Sequence, residues 1–340
     1  MSEHDPSVAG QGSLAPGYQL GEFEIRELLG RGSFGEVYKA YQARWKRDVA
    51  VKIMLPGAAK HIPDIAQRFV REIDVIRRLD HPNVVLLYDF GQSSDGMLWM
   101  AMELIVGPTL AQVLRLEHKL APSRARAIAQ QMLSALVEAH RQSIVHRDIK
   151  PANVMLTRKG ASREWVKLLD FGVGKVISEK GSRVQDLTRQ GAGGFGTPRY
   201  MAPEQIEQGE VGTHTDVYSA GLILYEMLVG EPAVDGKTSY EMLVKHLTEG
   251  ITLPPWLAAK PIGAVLRKAT ARQWDERYPS ALEFFDALAA LDGQTLDHTT
   301  VTGELAAVEG LEAHIRIGNE PADSTIRVEM AEVLEADAHG

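Results

Sequence analysis

The sequence predicts an α+β fold of two unequal lobes, a small β-rich N-terminal lobe with one main helix and a larger, mainly helical C-terminal lobe. Three observations carry that prediction. From Phe23 to Met54, short β-type runs alternate with glycines. From Ile65 to Leu79, Phe69, Ile73 and Ile76 recur at helical spacing and form one apolar stripe. After Gly107-Pro108 the pattern turns helical, opening with a long segment from about Pro122 to Arg141 in which Ala125, Ile128, Met132, Leu136 and Ala139 share a face.

In order, FEIRELLG from Phe23, EVYKAYQ from Glu36 and DVAVKIM from Asp48 read as three successive antiparallel strands. His81-Pro82-Asn83 stops the helix that follows, and VVLLYDF from Val84 and MLWMAMEL from Met97 read as two more strands. Short apolar pieces separated by turn and charged residues run from Ser143 to Asp170, then a glycine-rich stretch to Gly196, then helices to about Leu291. The organisation expected is a disordered lead-in over 1–22, a folded body over 23–292, and an acidic tail or linker over 293–340. Within the body the small lobe covers 23–102, a connecting hinge 103–107 and the large lobe 108–292.

Composition narrows the function. An apolar fraction of 44% in 340 residues supports a large core. The absence of cysteine removes disulfides, thiolate nucleophiles and cysteine-ligated metals, and fits a cytoplasmic location. The longest apolar run, Val217 to Val229, contains Tyr218, Ser219, Tyr225 and Glu226 and is shorter than the ~20 residues that cross a bilayer; it reads as a buried helix, so no membrane segment is expected. The tail from Gly293 holds 10 Asp/Glu against 2 Arg, which accounts for the whole net charge of -8. A neutral body without a basic stripe argues against nucleic-acid binding.

Gly30-Arg31-Gly32-Ser33-Phe34-Gly35 matches G-x-G-x-x-G, in which glycines let backbone N–H groups approach phosphate oxygens. A dinucleotide site needs a helix after the glycines, whereas Glu36 to Tyr41 has a strand pattern; a strand-loop-strand hairpin fits better. A second match, Gly191 to Gly196, has no strand before it and Pro198 after it, and reads as a loop. In Val49-Ala50-Val51-Lys52 a period of two puts Ala50 and Lys52 on one face, beneath the glycine hairpin. Glu72 shares the helix stripe with Ile76 and is placed to pair with Lys52. His146-Arg147-Asp148-Ile149-Lys150-Pro151-Ala152-Asn153 concentrates a carboxylate, an ammonium and an amide where Pro151 forbids a helix interior, and Asp170-Phe171-Gly172 adds a carboxylate at a strand end.

Together with Ala202-Pro203-Glu204, these motifs stand in the order and at the spacings of the protein-kinase family, which the chain resembles from about Phe23 to Leu291. The resemblance implies the bilobal protein-kinase fold, ATP and Mg²⁺ as cofactors, and transfer of the γ-phosphoryl group to Ser/Thr hydroxyls of protein substrates. It implies that Lys52 contacts the α/β-phosphates with Glu72 as its ion-pair partner, and that Asp170 and Asn153 are the metal ligands. Asp148 orients the attacking hydroxyl and accepts its proton, while Lys150 neutralises the transferring group. Leu29, Val37, Ala50 and Met155 wall the adenine pocket beside Gly30, Gly32 and Gly35. Met102 is its gatekeeper, and the backbone of Glu103 and Ile105 binds the adenine edge. Lys150 gives the loop its Ser/Thr rather than Tyr form.

The resemblance extends to structural positions. It pairs Glu204 with Arg277 and stacks Leu87, Ile76, Phe171 and His146 as a buried spine anchored by Asp216. Thr197 hydrogen-bonds Asp148 and Lys150. Arg147 before Asp148 implies an activation segment ordered by phosphorylation, with Ser178, Ser182 and Thr188 as candidates and Thr188 at the expected position for autophosphorylation. The wording Arg68-Phe69-Val70-Arg71-Glu72 is similar to that of bacterial members. A silent scaffold usually lacks one of the charged catalytic residues, and Lys52, Glu72, Asp148, Asn153 and Asp170 are all present. His298-Thr299-Thr300-Val301-Thr302 in the tail is open to two readings, a linker or a phosphorylated site for a phosphothreonine-reading partner.

Overall fold

The computed structural model describes residues 12–32, 35–54, 65–159, 163–171, 198–207 and 209–291. Strands β1 (Gln19–Leu20), β2 (Phe23–Gly32), β3 (Gly35–Gln42), β4 (Arg47–Met54), β5 (Leu87–Gln92) and β6 (Leu98–Glu103) form an antiparallel sheet in the order β1-β2-β3-β4-β6-β5, with helix α1 (Ile65–Ile76) between β4 and β5. Alternation along β4 assigns its two faces. Val49, Val51 and Ile53 pack outward with Phe23, Ile25, Tyr38 and Ala101, whereas Ala50 and Met54 pack inward with Phe69 and Ile73 of α1 and with Met100 and Met102. Gly35 is required where β3 crosses β4, because a Cβ there would lie 1.9 Å from the Ile53 carbonyl oxygen.

Residues 12–22 depart from the expected disordered lead-in. Gln19–Leu20 pairs with Phe23 and Glu24, the Ile25 N–H donates to the Tyr18 carbonyl at 2.9 Å, and Leu14 and buried Leu20 cover the outer apolar face of the sheet. That face needs a cover from water, and among the described residues no helix supplies it, so the preceding chain does. The fourth strand also begins later than Val84. The Val85 N–H donates to the Leu168 carbonyl and the Leu168 N–H to the Asn83 carbonyl, so this stretch is bound to the large lobe before β5 starts at Leu87.

The large lobe contains α2 (Leu110–Glu117), α3 (Pro122–Arg141), the hairpin β7 (Val154–Lys159) and β8 (Arg163–Leu168), α4 (Pro203–Ile206), α5 (Thr213–Val229), α6 (Ser239–Thr248), α7 (Pro255–Ala258), α8 (Pro261–Ala269) and α9 (Ala281–Ala289). Helix α3 is the central rod: Ala125, Ile128, Met132, Leu136 and Ala139 are buried, and α3 packs on α5, α9 and β8. The lobes join through 104–109. Gly107 has φ +152 and a Cβ there would lie 2.1 Å from the Leu156 carbonyl oxygen, so the connection passes directly over β7.

Candidate active site

A cleft of about 400 Å³ opens between the lobes. Leu29, Val37, Ala50, Met102 and Glu103 line it from the sheet, Ile105 from the connection, and Met155 from β7. All seven were expected from the sequence. Leu104 and Leu169 line it as well and were not; both sit beside an expected position, and their apolar character was the available signal. The Glu103 N–H is engaged by the Leu86 carbonyl at 2.9 Å, which leaves its carbonyl as the group it can offer a ligand. Gly30, Gly32 and Gly35 lie on the β2–β3 hairpin beside this cleft, with Gly32 facing Gly35 across its end.

A network of charged and polar groups meets the cleft at Asp170. Lys52 Nζ lies 2.8 Å from Asp170 Oδ1, and Lys150 Nζ lies 3.0 Å from Asp148 Oδ2. Asn153 links the two pairs: its Nδ2 donates to the Asp148 carbonyl at 2.8 Å, and its carbonyl accepts from the Leu169 N–H at 2.9 Å, one residue before Asp170. His146 Nε2 donates to the other backbone group of the same residue, the Leu169 carbonyl, at 2.8 Å. With both backbone groups of Leu169 held, Asp170 turns through φ 52 and presents its carboxylate to Lys52. The Glu72 backbone lies in α1; its side chain, together with Ser33, Phe34, Gly172, Ser178, Ser182, Thr188, Gly191 to Gly196, Thr197 and the tail from 292, lies outside the described residues.

Burial shapes the loop beneath. His146 is fully buried and touches Phe171 with ring centroids 4.6 Å apart; burial holds its pKa below the ordinary histidine value, so it stays neutral, with the proton on Nε2 while Nδ1 accepts from the Asp148 N–H. Asp216, in the first turn of α5, accepts from the His146 and Arg147 N–H groups, each at 2.8 Å, and contacts His140 Nε2 at 2.9 Å. Burial would raise the pKa of this carboxyl, but His140 and the backbone donor outweigh it and keep the group ionised. Arg147 is thereby held at φ 64, and Asp148 follows it with its carboxylate against Lys150. Phe171, which touches His146, and Ile76 share the large-lobe core, while Leu87 packs with the small-lobe core, so the expected spine residues divide between the two cores.

The family model for the protein kinase domain matches residues 23–295. The chain belongs to the protein kinase family. Among similar proteins, a probable serine/threonine-protein kinase of Streptomyces coelicolor is 37% identical over 295 residues, covering 84% of this chain and 42% of that protein. The serine/threonine-protein kinase PknB of Mycolicibacterium smegmatis is 35% identical, covering 83% of this chain and 45% of that protein. The kinase chain therefore spans less than half the length of these relatives. The crystal structure of the Mycobacterium tuberculosis PknI kinase domain superposes with a TM-score of 0.63 at 28% identity, covering 82% of this chain and 99% of that one. These likenesses place the chain's protein kinase domain beside those of bacterial serine/threonine-protein kinases, with the same bilobal fold.

Two ion pairs behind the kinase cleft were reached differently by sequence. The expected Glu204–Arg277 pair is present, bidentate at 2.8 and 3.0 Å with Arg277 fully buried. The pair between Lys167 Nζ and Glu103 Oε1, at 2.5 Å, was missed. It fixes the start of the connection to β8, with Lys167 also donating to the Val84 carbonyl and Glu103 accepting from the Leu86 N–H. Nothing in local sequence joins residues 64 apart.

The donor set suits a hard divalent cation held partly by phosphate. Asp170 offers carboxylate oxygen, and Asn153 turns its amide nitrogen to Asp148 and keeps its amide oxygen for a ligand. Among the described residues no group of three His, Asp or Glu could hold a metal alone, and Mg²⁺ commonly takes one or two side-chain oxygens with the remainder from phosphate and water. No helix among the described residues is long and apolar enough to cross a membrane.

Proposed function

We propose that this chain catalyses transfer of the γ-phosphoryl group of ATP to Ser or Thr hydroxyls of proteins. The observation that carries this is a network of two cation–carboxylate pairs, Lys52 with Asp170 and Lys150 with Asp148, joined through Asn153 and reaching an apolar cleft at Asp170.

The apolar walls from Leu29, Val37, Ala50 and Met155 sandwich an adenine, with its polar edge against backbone groups of Glu103 and Ile105 and Met102 limiting depth. Gly30, Gly32 and Gly35 cover the phosphates with backbone N–H groups. Lys52 holds the α/β-phosphates, and Glu72 partners it. Asp170 and Asn153 would hold Mg²⁺, which would supply neutralisation of the phosphate charge. Asp148 aligns the acceptor hydroxyl and takes its proton as the oxygen attacks phosphorus. Lys150, 3.0 Å from the same carboxylate, stabilises charge on the transferred group. Both pairs are preformed, so little reorganisation is needed during transfer.

The finer readings belong to this proposal too: autophosphorylation at Thr188, with Ser178 and Ser182 as alternatives, a cytoplasmic setting, and recruitment of a phosphothreonine-reading partner by the tail. Incubation with Mg²⁺ and radiolabelled ATP, followed by phosphoamino-acid analysis and peptide mapping, tests them. Asp148→Asn lowers incorporation by at least ~10²-fold, the usual scale of a lost acid–base group. Equal incorporation by the variant overturns the enzyme reading, and label on tyrosine alone overturns the acceptor class.

A further inference from the structure

The outer face of the glycine-rich hairpin holds a buried carboxylate that the cleft does not use. Val37 lines the cleft, so its neighbours Glu36 and Tyr38 face away from it. Glu36 is 3% exposed and stands directly opposite Arg31, the residue between the first two glycines, whose Nε donates to Glu36 Oε1 at 2.8 Å. Its second oxygen accepts from the Ser13 N–H at 2.9 Å, the Ser13 hydroxyl at 2.5 Å and the Tyr38 hydroxyl at 2.5 Å, and the Tyr38 oxygen in turn accepts from the Leu14 N–H at 3.0 Å. A carboxylate this buried is costly without donors, and the segment before the sheet provides two of them. Burial favours the protonated form of Glu36, but Ser13, Tyr38 and Arg31 outweigh it and hold the group ionised.

We propose that residues 12–20 are a latch on the back of the glycine-rich hairpin, held through Glu36, and that Ser13 is a phosphoacceptor whose modification releases it. This rests on the reading of Gly30 to Gly35 as the phosphate-covering loop. Ser13 is exposed and lies in a stretch without helix or strand, the form in which a kinase cleft can take an acceptor. The face it occupies is opposite its own cleft, so the donor is a second copy or another kinase. The Ser13 oxygen forms the new bond to the γ-phosphorus of ATP as the bond from that phosphorus to the β-bridging oxygen breaks. ADP leaves with the electron pair, and the hydroxyl proton passes to the donor kinase's catalytic carboxylate. The product has lost its hydroxyl donor and placed about two negative charges against an ionised carboxylate, which repels the segment. Glu36 is then a positioning residue: without the latch, only Arg31 and Tyr38 among the described donors hold it, and the hairpin covers phosphate less well.

The test uses the full chain. After incubation with Mg²⁺ and ATP, peptide mapping is expected to find phosphate on Ser13 of the wild type. Asp148→Asn protein treated with a trace of wild type acquires the same phosphate if a second copy is the donor; phosphate found only after treatment with host-cell extract assigns another kinase. Absence of Ser13 phosphate in all three arms overturns the acceptor site. Ser13→Glu is expected to raise the KM for ATP about threefold or more with kcat changed less than about twofold, the signature of weakened binding without lost chemistry. Gly12→Val provides an uncharged second route, because a Cβ at Gly12 would lie 2.3 Å from the Tyr38 hydroxyl and forces the segment off. Ser13→Ala retains the Ser13 N–H and stays near wild type. Unchanged KM in both Ser13→Glu and Gly12→Val overturns the latch. Gly32→Val separates this from the underlying reading: its Cβ has room in the hairpin, the nearest atom being 3.9 Å away, so an unchanged KM there overturns the phosphate-loop assignment itself.

Discussion

Replacing Glu204 with alanine tests how the floor of the site is held. Arg277 is fully buried, and its five N–H groups are all taken: Nε by the Ala271 carbonyl, one terminal nitrogen by Glu204 Oε1 and the His214 carbonyl, the other by Glu204 Oε2 and the Arg272 carbonyl. Burial alone would raise the pKa of Glu204, yet the Arg277 contacts and the Thr215 hydroxyl pull it below the ordinary value, so the pair is ionic at neutral pH. Glu204→Ala leaves the guanidinium buried and uncompensated, a change that costs about 3–5 kcal/mol. Unfolding entropy of about 2.1 cal/mol/K per residue over a domain of roughly 270 residues gives about 0.6 kcal/mol/K, so Tm falls by ~5–8 °C. The damage reaches the site, because the neighbouring Gln205 donates to the Arg147 carbonyl at 2.9 Å, one residue before Asp148. Urea and thermal unfolding of Glu204→Ala, Arg277→Leu and the double variant measure both the loss and the coupling; the double variant is expected to lose less than the two singles added. A Glu204→Ala protein within about 1 kcal/mol of wild type refutes the reasoning, since a buried arginine would then need no counter-ion.

Lys167→Met removes the brace between β8 and the connection while keeping the aliphatic stem. One partly exposed charge-assisted contact of about 1 kcal/mol predicts a KM for ATP raised ~5-fold with kcat little changed, checked by steady-state kinetics; an unchanged KM counts against the brace. Asp216→Ala strips acceptors from the His146 and Arg147 N–H groups, and kcat is expected to fall at least ~10²-fold as Asp148 loses its bearing; activity within threefold of wild type dismisses that role. His246 is buried, which pushes its pKa down to about 4. The unfolded chain, near 6.5, binds the proton first, so stability is full above pH 6.5 and declines as pH falls toward 4, by about 2 kcal/mol between pH 8 and pH 5. Urea unfolding at both pH values, with His246→Gln losing that part of the difference, checks the sign and size.

By itself the sequence determined the division into a β-rich and a helical lobe, because periods of two and of 3.6 are written locally, as in Val49 to Lys52 and along Pro122 to Arg141. The resemblance to the family also implied Leu29, Val37, Ala50 and Met155 as lining of the cleft, though not Leu104 or Leu169. Tertiary structure decided what depends on residues far apart in the chain. Val84 and Val85 have strand character but bind Leu168, and residues 12–22 have a linker's composition but cover a sheet face that would otherwise meet water. Lys52 meets Asp170 across 118 positions because both backbone groups of Leu169 are held, by Asn153 and His146. Local pattern reports which face a side chain occupies; which partner waits there follows only from how the elements pack.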